Sequence, residues 1–262
     1  MPKYSQNFLV NQDVLPLILQ AASLNDCNVV IEIGPGRGIL TEQLCQTSCR
    51  VIAIEIDPDL LPGLRLLQAK YPNLEVYHAD FNTFNWQKLI VGQSYQIVAN
   101  IPYHVTGLIF RTIFNYRQTL PKKVVLMMQY EVAKKIVPPP NDCTILSNLI
   151  GSFGVPRLVA KVDKRSFRPV PKVDSAILAV DQIQMPAVDN FDQYFRLVKI
   201  GFAARRKTLA NNLSVGLNIS KTKASELLSA SDIAPDRRAQ TLSIDEWKKL
   251  YYILEKQIGL KK

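Results

Sequence analysis

Val29-Val30-Ile31-Glu32-Ile33-Gly34-Pro35-Gly36-Arg37-Gly38 is the stretch whose reading decides the fold. Its first half is a short β-branched run of the kind that forms a strand, and it breaks at once into closely spaced glycines. A strand ending this way lets a ligand approach the backbone at the carboxyl edge of an open α/β sheet. A tight structural turn would use the same residues. The spacing is G-x-G-x-G, not the G-x-G-x-x-G of a dinucleotide fold. That tilts the reading from a nicotinamide cofactor towards S-adenosylmethionine without settling it.

Outward from this turn the chain alternates. Ile39 to about Cys45 reads as helix, Val51–Glu55 as strand, Leu60–Lys70 as helix, then Leu74–His78, Gln96–Ala99 and Val124–Met128 as strands. Strand, helix and strand at this spacing predict a parallel sheet with crossover helices. Leu158–Val162 and Ala176–Val180 look like a closing pair, joined by a loop that holds Phe167-Arg168-Pro169-Val170-Pro171. Beyond Met185-Pro186 the strand signals stop. Phe191–Ala204, Thr208–Leu213, Lys221–Ala230 and Asp245–Ile258 are helix-like, the last with Ser243 as its cap. The expectation is an α/β, Rossmann-like domain over residues 1–183 and a small all-helical domain over 184–262. Val137-Pro138-Pro139-Pro140-Asn141 is expected to be a stiff loop inside the first domain.

With 262 residues, 47% of them hydrophobic, the chain has ample material for a core. No apolar run reaches the roughly 18 residues of a membrane span, and the polar start does not resemble a signal peptide, so a cytoplasmic protein is expected. Cys27, Cys45, Cys49 and Cys143 show no C-x-x-C spacing, and His78 and His104 lie far apart, so no metal site is expected. The formal charge is +10, and the part from Gln182 onward, with 14 basic against 8 acidic residues, carries +6 of it. Such an excess favours polyanion partners, nucleic acid before anionic membrane, although a solvated basic surface would carry it equally.

Glu55 closes the second strand, 21 residues past Gly34, and Asp80 follows the third. An acid at the first position can accept from both ribose hydroxyls of a nucleoside cofactor. A short carboxylate at the second can take a hydrogen bond from the adenine amine. After the fourth strand comes Asn100-Ile101-Pro102-Tyr103. An adenine amine is a poor nucleophile because its lone pair is delocalised into the ring. An Asn side-chain oxygen and a backbone carbonyl, both accepting from the NH2, can draw the nitrogen towards tetrahedral geometry and free that pair. Pro102 stiffens the turn, and Tyr103 can stack on a base taken out of its helix.

Asn100-Ile101-Pro102-Tyr103 resembles the N-[IL]-P-Y motif of adenine-N6 methyltransferases that act on RNA. Gln6-Asn7-Phe8-Leu9 resembles their Q-N-F-L opening, and Phe167 through Ala176 their F-x-P-x-P-K-V-x-S-A block. In the tail, Gly201 to Leu213 and Arg238 to Ser243 are similar to the KsgA (RsmA) group of small-subunit rRNA dimethyltransferases. The resemblance spans essentially the whole chain. It implies cofactor contacts, with S-adenosylmethionine, from Asn7, Leu9, Gly34, Gly36, Glu55, Asp80 and Asn100. It also implies that Tyr103 and Phe167 sandwich a flipped adenine, with Asn100 and Pro102 completing the catalytic group. Members of the group dimethylate two adjacent adenosines in the terminal hairpin loop of small-subunit rRNA, so the expected partner is that RNA in immature small-subunit particles, met by a monomer. Lys172, Arg205, Arg206 and Lys207, the last three on a helix-like stretch, are the expected phosphate contacts.

Three alternatives stay open at this level. An Erm-type enzyme acting on large-subunit rRNA shares the chemistry, and Tyr4-Ser5 ahead of Gln6 is closer to that group, while Arg205-Arg206-Lys207 argues against it. A nicotinamide oxidoreductase would share the glycine turn but has no use for Asn100–Tyr103. A non-enzymatic RNA-binding relative would have no need of both motifs intact.

Overall fold

The computed structural model describes residues 7–102, 105–115 and 117–259. The chain divides into two compact units, one of residues up to 134 with 154–184, the other of 135–153 with 185 onward. The first unit opens with a two-residue strand, β1 (Phe8–Leu9), and helix α1 (Val14–Ala22). There follow β2 (Val29–Ile33), α2 (Ile39–Cys45), β3 (Arg50–Glu55), α3 (Leu61–Lys70), β4 (Leu74–His78), β5 (Tyr95–Asn100), α4 (Thr106–Asn115) and β6 (Lys123–Gln129). Helices α5 (Tyr130–Ile136) and α6 (Ile145–Phe153) come before β7 (Val155–Val162), β8 (Phe167–Arg168) and β9 (Ser175–Asp181).

Seven strands form one sheet in the order β4-β3-β2-β5-β6-β9-β7. The first five are parallel, and β9 runs antiparallel to both of its neighbours. All five residues of β2 are buried, as a central strand covered on both faces requires. The chain leaves β2 towards β3 on one side and returns to β5 on the other. The crevice at that reversal is where an open sheet of this kind takes its ligand. On one face Val30, Val51, Ala53, Val98 and Val125 pack with Leu15, Ile18 and Leu44 from α1 and α2. The short strands β1 and β8 pair antiparallel in a small second sheet, Phe8 opposite Arg168 and Leu9 opposite Phe167.

The second unit adds α7 (Phe191–Gly201), α8 (Leu209–Leu217), α9 (Lys221–Ala230) and α10 (Ile244–Ile258). Ser243 caps α10 in a reciprocal box, its hydroxyl accepting from Glu246 N–H while the Glu246 carboxylate accepts from Ser243 N–H. Helix α6, which precedes two strands of the main sheet in sequence, packs in this unit. The Phe153 ring meets Phe191 edge-on at 4.7 Å, and Gly151 sits so close to Ile244 that a Cβ there would collide with it. The helical unit therefore draws on two separate pieces of chain. Helix α7 stops at Gly201, short of the expected Ala204, and Thr208 caps α8 through Asn211 N–H. Arg205, Arg206 and Lys207 consequently lie in the turn between α7 and α8 and not on a helix. No helix among the described residues is long and apolar enough to cross a membrane.

Candidate active site

Parallel register builds the site. β2 runs level with β3 and β5, Glu55 stands beside His78 of β4, and Asn100 beside Met127 of β6. Each strand releases its chain at the same edge. Gly34, Glu55, Asp80 and Asn100, distant in sequence, therefore meet around one cavity of about 320 Å³.

The glycine turn and the first acid are joined directly. Gly36 N–H donates to Glu55 Oε2 at 3.0 Å and Asp57 N–H to Oε1 at 2.9 Å, which fixes a carboxyl group that is 2% exposed. Burial raises the Glu55 pKa against the lowering effect of these backbone donors. Gly36 favours glycine because of its left-handed backbone, a φ of +61°, and the Phe8 ring packs beside it. Asp80 follows β4, and its Oδ1 accepts from the backbone and side-chain N–H groups of Asn82 at 2.9 and 3.0 Å. Asn100 is half-buried at the end of β5, its side chain making no hydrogen bond to another described residue.

Of the residues expected at a site, Asn7, Leu9, Gly34, Gly36, Glu55, Asp80, Asn100, Pro102 and Phe167 all line this cavity. Phe167 is 1% exposed and belongs to the core with Leu9, so it forms a wall of the cavity and offers no open face. Tyr103 lies outside the described residues. Lys172 is exposed in the loop between β8 and β9, and Arg205, Arg206 and Lys207 are exposed in the second unit, Arg205 paired with Asp142 at 2.8 Å. Among the described residues no cluster of His, Cys, Asp and Glu could hold a metal ion.

Sequence reasoning passed over several lining residues, among them Phe8, Glu32, Arg37, Ile56 and Leu108. Phe8, Glu32 and Arg37 belong to the Gln6–Leu9 and Val29–Gly38 motifs, whose spacing assigns them no chemistry. Leu108 is 50% exposed on α4, just past the Asn100 turn, and no periodicity marks it. Glu32 sits mid-strand, 1% exposed, with Oε2 lacking a hydrogen-bond partner among the described residues. Burial pushes its carboxyl up to about 8, the Thr41 hydroxyl opposing and Glu55 adding to the rise.

The sequence profile of the ribosomal RNA adenine dimethylase family matches residues 1–256. The chain belongs to this family. A ribosomal RNA small subunit methyltransferase A of Dehalococcoides mccartyi is 42% identical over 249 residues, 94% of this chain and 85% of the relative. One from Alkaliphilus oremlandii is 36% identical over 262 residues, covering 97% and 91%. Among solved structures, a dimethyladenosine transferase from Plasmodium falciparum superposes with a TM-score of 0.79 at 28% identity, covering 95% of this chain and 98% of that one. The 23S rRNA methyltransferase ErmE gives 0.76 at 27%, covering 95% and 100%. This rRNA adenine dimethylase thus shares its fold with both branches of the superfamily.

Membership implies a methyl donor of the S-adenosylmethionine type and an rRNA substrate. The donor set of the cavity fits such a cofactor. Glu55 presents a fixed, buried acceptor suited to hydroxyl groups, Asp80 an acceptor suited to an amine, and Ile56, Pro102 and Leu108 an apolar lining suited to a ring.

Proposed function

We propose that this chain dimethylates N6 of two adjacent adenosines in the 3′-terminal hairpin loop of small-subunit rRNA, using S-adenosylmethionine. The carrying observation is the junction of the Asn100–Pro102 turn with the Gly34–Glu55–Asp80 cavity at one sheet edge. Relatives called small subunit methyltransferase A, 36–42% identical over nearly the whole chain, support the small-subunit target over the large-subunit one.

When bound, S-adenosylmethionine supplies a sulfonium methyl already activated for displacement. Glu55 accepts from the ribose hydroxyls, Asp80 from the adenine amine, and Asn7, Leu9, Gly34 and Gly36 close around the remainder. Asn100 accepts a hydrogen bond from the target amine and turns its lone pair towards the methyl group, so most of its effect falls on the transition state. Pro102 holds that turn, Tyr103 stacks on the base, and Phe167 backs the pocket. The amine loses its proton to water after transfer, since an N-methyl adeninium is acidic. Lys172, Arg205, Arg206 and Lys207 hold phosphates of the RNA. The substrate is the RNA within immature small-subunit particles in the cytoplasm, met by a monomer.

The test is mapping of methylated nucleotides in rRNA from cells that lack the gene, complemented with wild type or Asn100→Ala. Wild type restores N6-dimethyladenosine at the paired positions of the small subunit, and Asn100→Ala lowers the single-turnover rate about 100-fold with RNA affinity preserved. Modification of large-subunit rRNA instead would move the substrate to the Erm branch. A near-normal Asn100→Ala rate would remove the amine mechanism.

A further inference from the structure

Phe8 lines the cavity from the two-residue strand β1, and two guanidinium groups flank it. Arg37, from the glycine turn, lies over the Phe8 ring with its Cζ 4.4 Å from the ring centroid. Arg168 is the antiparallel partner of Phe8 in β8. Directly opposed residues of an antiparallel pair project from the same face, and the next pair projects from the other. Leu9 and Phe167, the adjacent pair, are 5% and 1% exposed, so their face is the core face. Phe8 and Arg168 therefore share the outward face, onto which Arg37 folds.

Arg37 and Arg168 are exposed and make no ion pair among the described residues. The nearby acids are spent on other cations, Asp163 on Arg165 at 2.9 Å and Asp174 on Lys161 at 2.8 Å. Arg168 is oriented by its own loop, Nη1 donating to the backbone oxygens of Phe167 and Arg165 at 3.0 and 3.2 Å. A guanidinium stacked on an aromatic ring keeps its N–H edge free to fork onto a phosphate. The interior of the cavity, by contrast, carries the carboxyl groups of Glu55 and Asp80. A strand of RNA entering this field sends its uncharged base inward and leaves its phosphates at the cationic rim.

We propose that Arg37 and Arg168, on either side of Phe8, form a phosphate anchor that seats the RNA backbone beside the target adenosine at the mouth of the cavity. The anchor rests on the reading of this chain as an rRNA adenine methyltransferase and adds two contacts to those assigned from sequence. Stacking on Phe8 also makes Arg37 part of the cavity wall, so an anchored phosphate and a closed wall favour one another.

The experiment uses the full chain with unmodified small-subunit particles in a salt series, together with calorimetry for S-adenosylmethionine and thermal melting. Arg37→Gln should flatten the plot of log Kobs against log salt by roughly 0.7–0.9, one phosphate contact, and Arg37→Gln with Arg168→Gln by about twice that. Arg37→Lys should restore the slope of wild type, because the charge returns even though the stacking plane is lost. Melting should stay close to wild type in all three, and the single variant Arg168→Gln, at a residue outside the cavity lining, should flatten the slope by one contact with cofactor affinity unchanged. An unchanged slope in Arg37→Gln overturns the anchor, and if cofactor affinity falls at the same time, Arg37 serves only to hold Phe8 in place. The two readings separate cleanly. A wild-type protein that methylates the particles with no slope change in the variants sinks the anchor alone, whereas one that leaves small-subunit rRNA untouched sinks the proposed function.

Discussion

At the scale of single residues, Glu32 carries the sharpest physical consequence. Its carboxyl is buried without a partner for Oε2, and its pKa of about 8 leaves it protonated at neutral pH. A folded-state pKa raised above the unfolded one means that stability is full below the unfolded value and is lost as pH rises through the folded value. Here that window runs from about 4.5 to about 8. Glu32→Gln, which keeps the shape and removes the ionisation, should melt like wild type near pH 5 and above it at pH 9, by an amount on the order of 5 kcal/mol at the limit. Parallel melting curves across pH 5–9 would refute the assignment. This state was not legible in the sequence, because Glu32 reads as one polar letter in an apolar strand and only the fold shows how deeply its carboxyl is buried. Glu55, Asp80 and Asn100 were legible for the opposite reason. Each ends or follows a strand, and in a parallel sheet strand ends share an edge. Leu108 and Arg37 carry no such positional mark.

Among the elements, the turn between β2 and α2 is the tightest constraint. Gly38 has φ +82° and a Cβ there would run into the end of the Leu67 side chain. Its N–H donates to Pro35 O, and its own carbonyl accepts from Glu42 N–H to start α2. Gly38→Ala should cost roughly 1–3 kcal/mol from the left-handed backbone, read as a lowered thermal midpoint with cofactor affinity reduced alongside it. A midpoint equal to that of wild type would mean that the turn relaxes freely. Long β-branched runs such as Val29–Ile33 announced themselves, and so did the capped helix α10. The pairing of β1 with β8 did not, since two residues show no periodicity and the partner lies far along the chain. Helix α1 holds Pro16 in its first turn and apolar residues almost throughout, so no amphipathic stripe separated it from its surroundings. Helices α5 and α6 flank Pro138-Pro139-Pro140, whose loop signal masks the two short helical patterns beside it. The basic block has helix-like sequence on both sides, from Phe191 and up to Leu213, which is why a helix is expected through it. The Thr208 cap, a local signal, is what breaks the run.

For the molecule as a whole, charge is the property that scales. The net +10 is concentrated after Gln182, and Arg205, Arg206 and Lys207 stand exposed there; among the described residues Arg205 alone of the three is in an ion pair, a surface contact worth about 0–1 kcal/mol. Replacing all three by Gln should leave melting nearly unchanged while making the salt dependence of particle binding shallower by about two. Lost thermal stability with an unaltered slope would instead make the block a structural one. The division into an α/β and a helical part was visible in composition, whereas the contribution of 135–153 to the helical unit depends on contacts that no local pattern encodes. The pairing of β1 with β8 also has a consequence in time. Chains are made from the amino end, and the residues that form one wall of the pocket appear about 160 residues before their partner strand. At roughly 5–20 residues per second this is a delay on the order of 8–30 s. A nascent chain therefore carries the glycine turn, Glu55, Asp80 and Asn100 for seconds before their enclosure can be completed, and the closed pocket is among the last features of the α/β unit to be made.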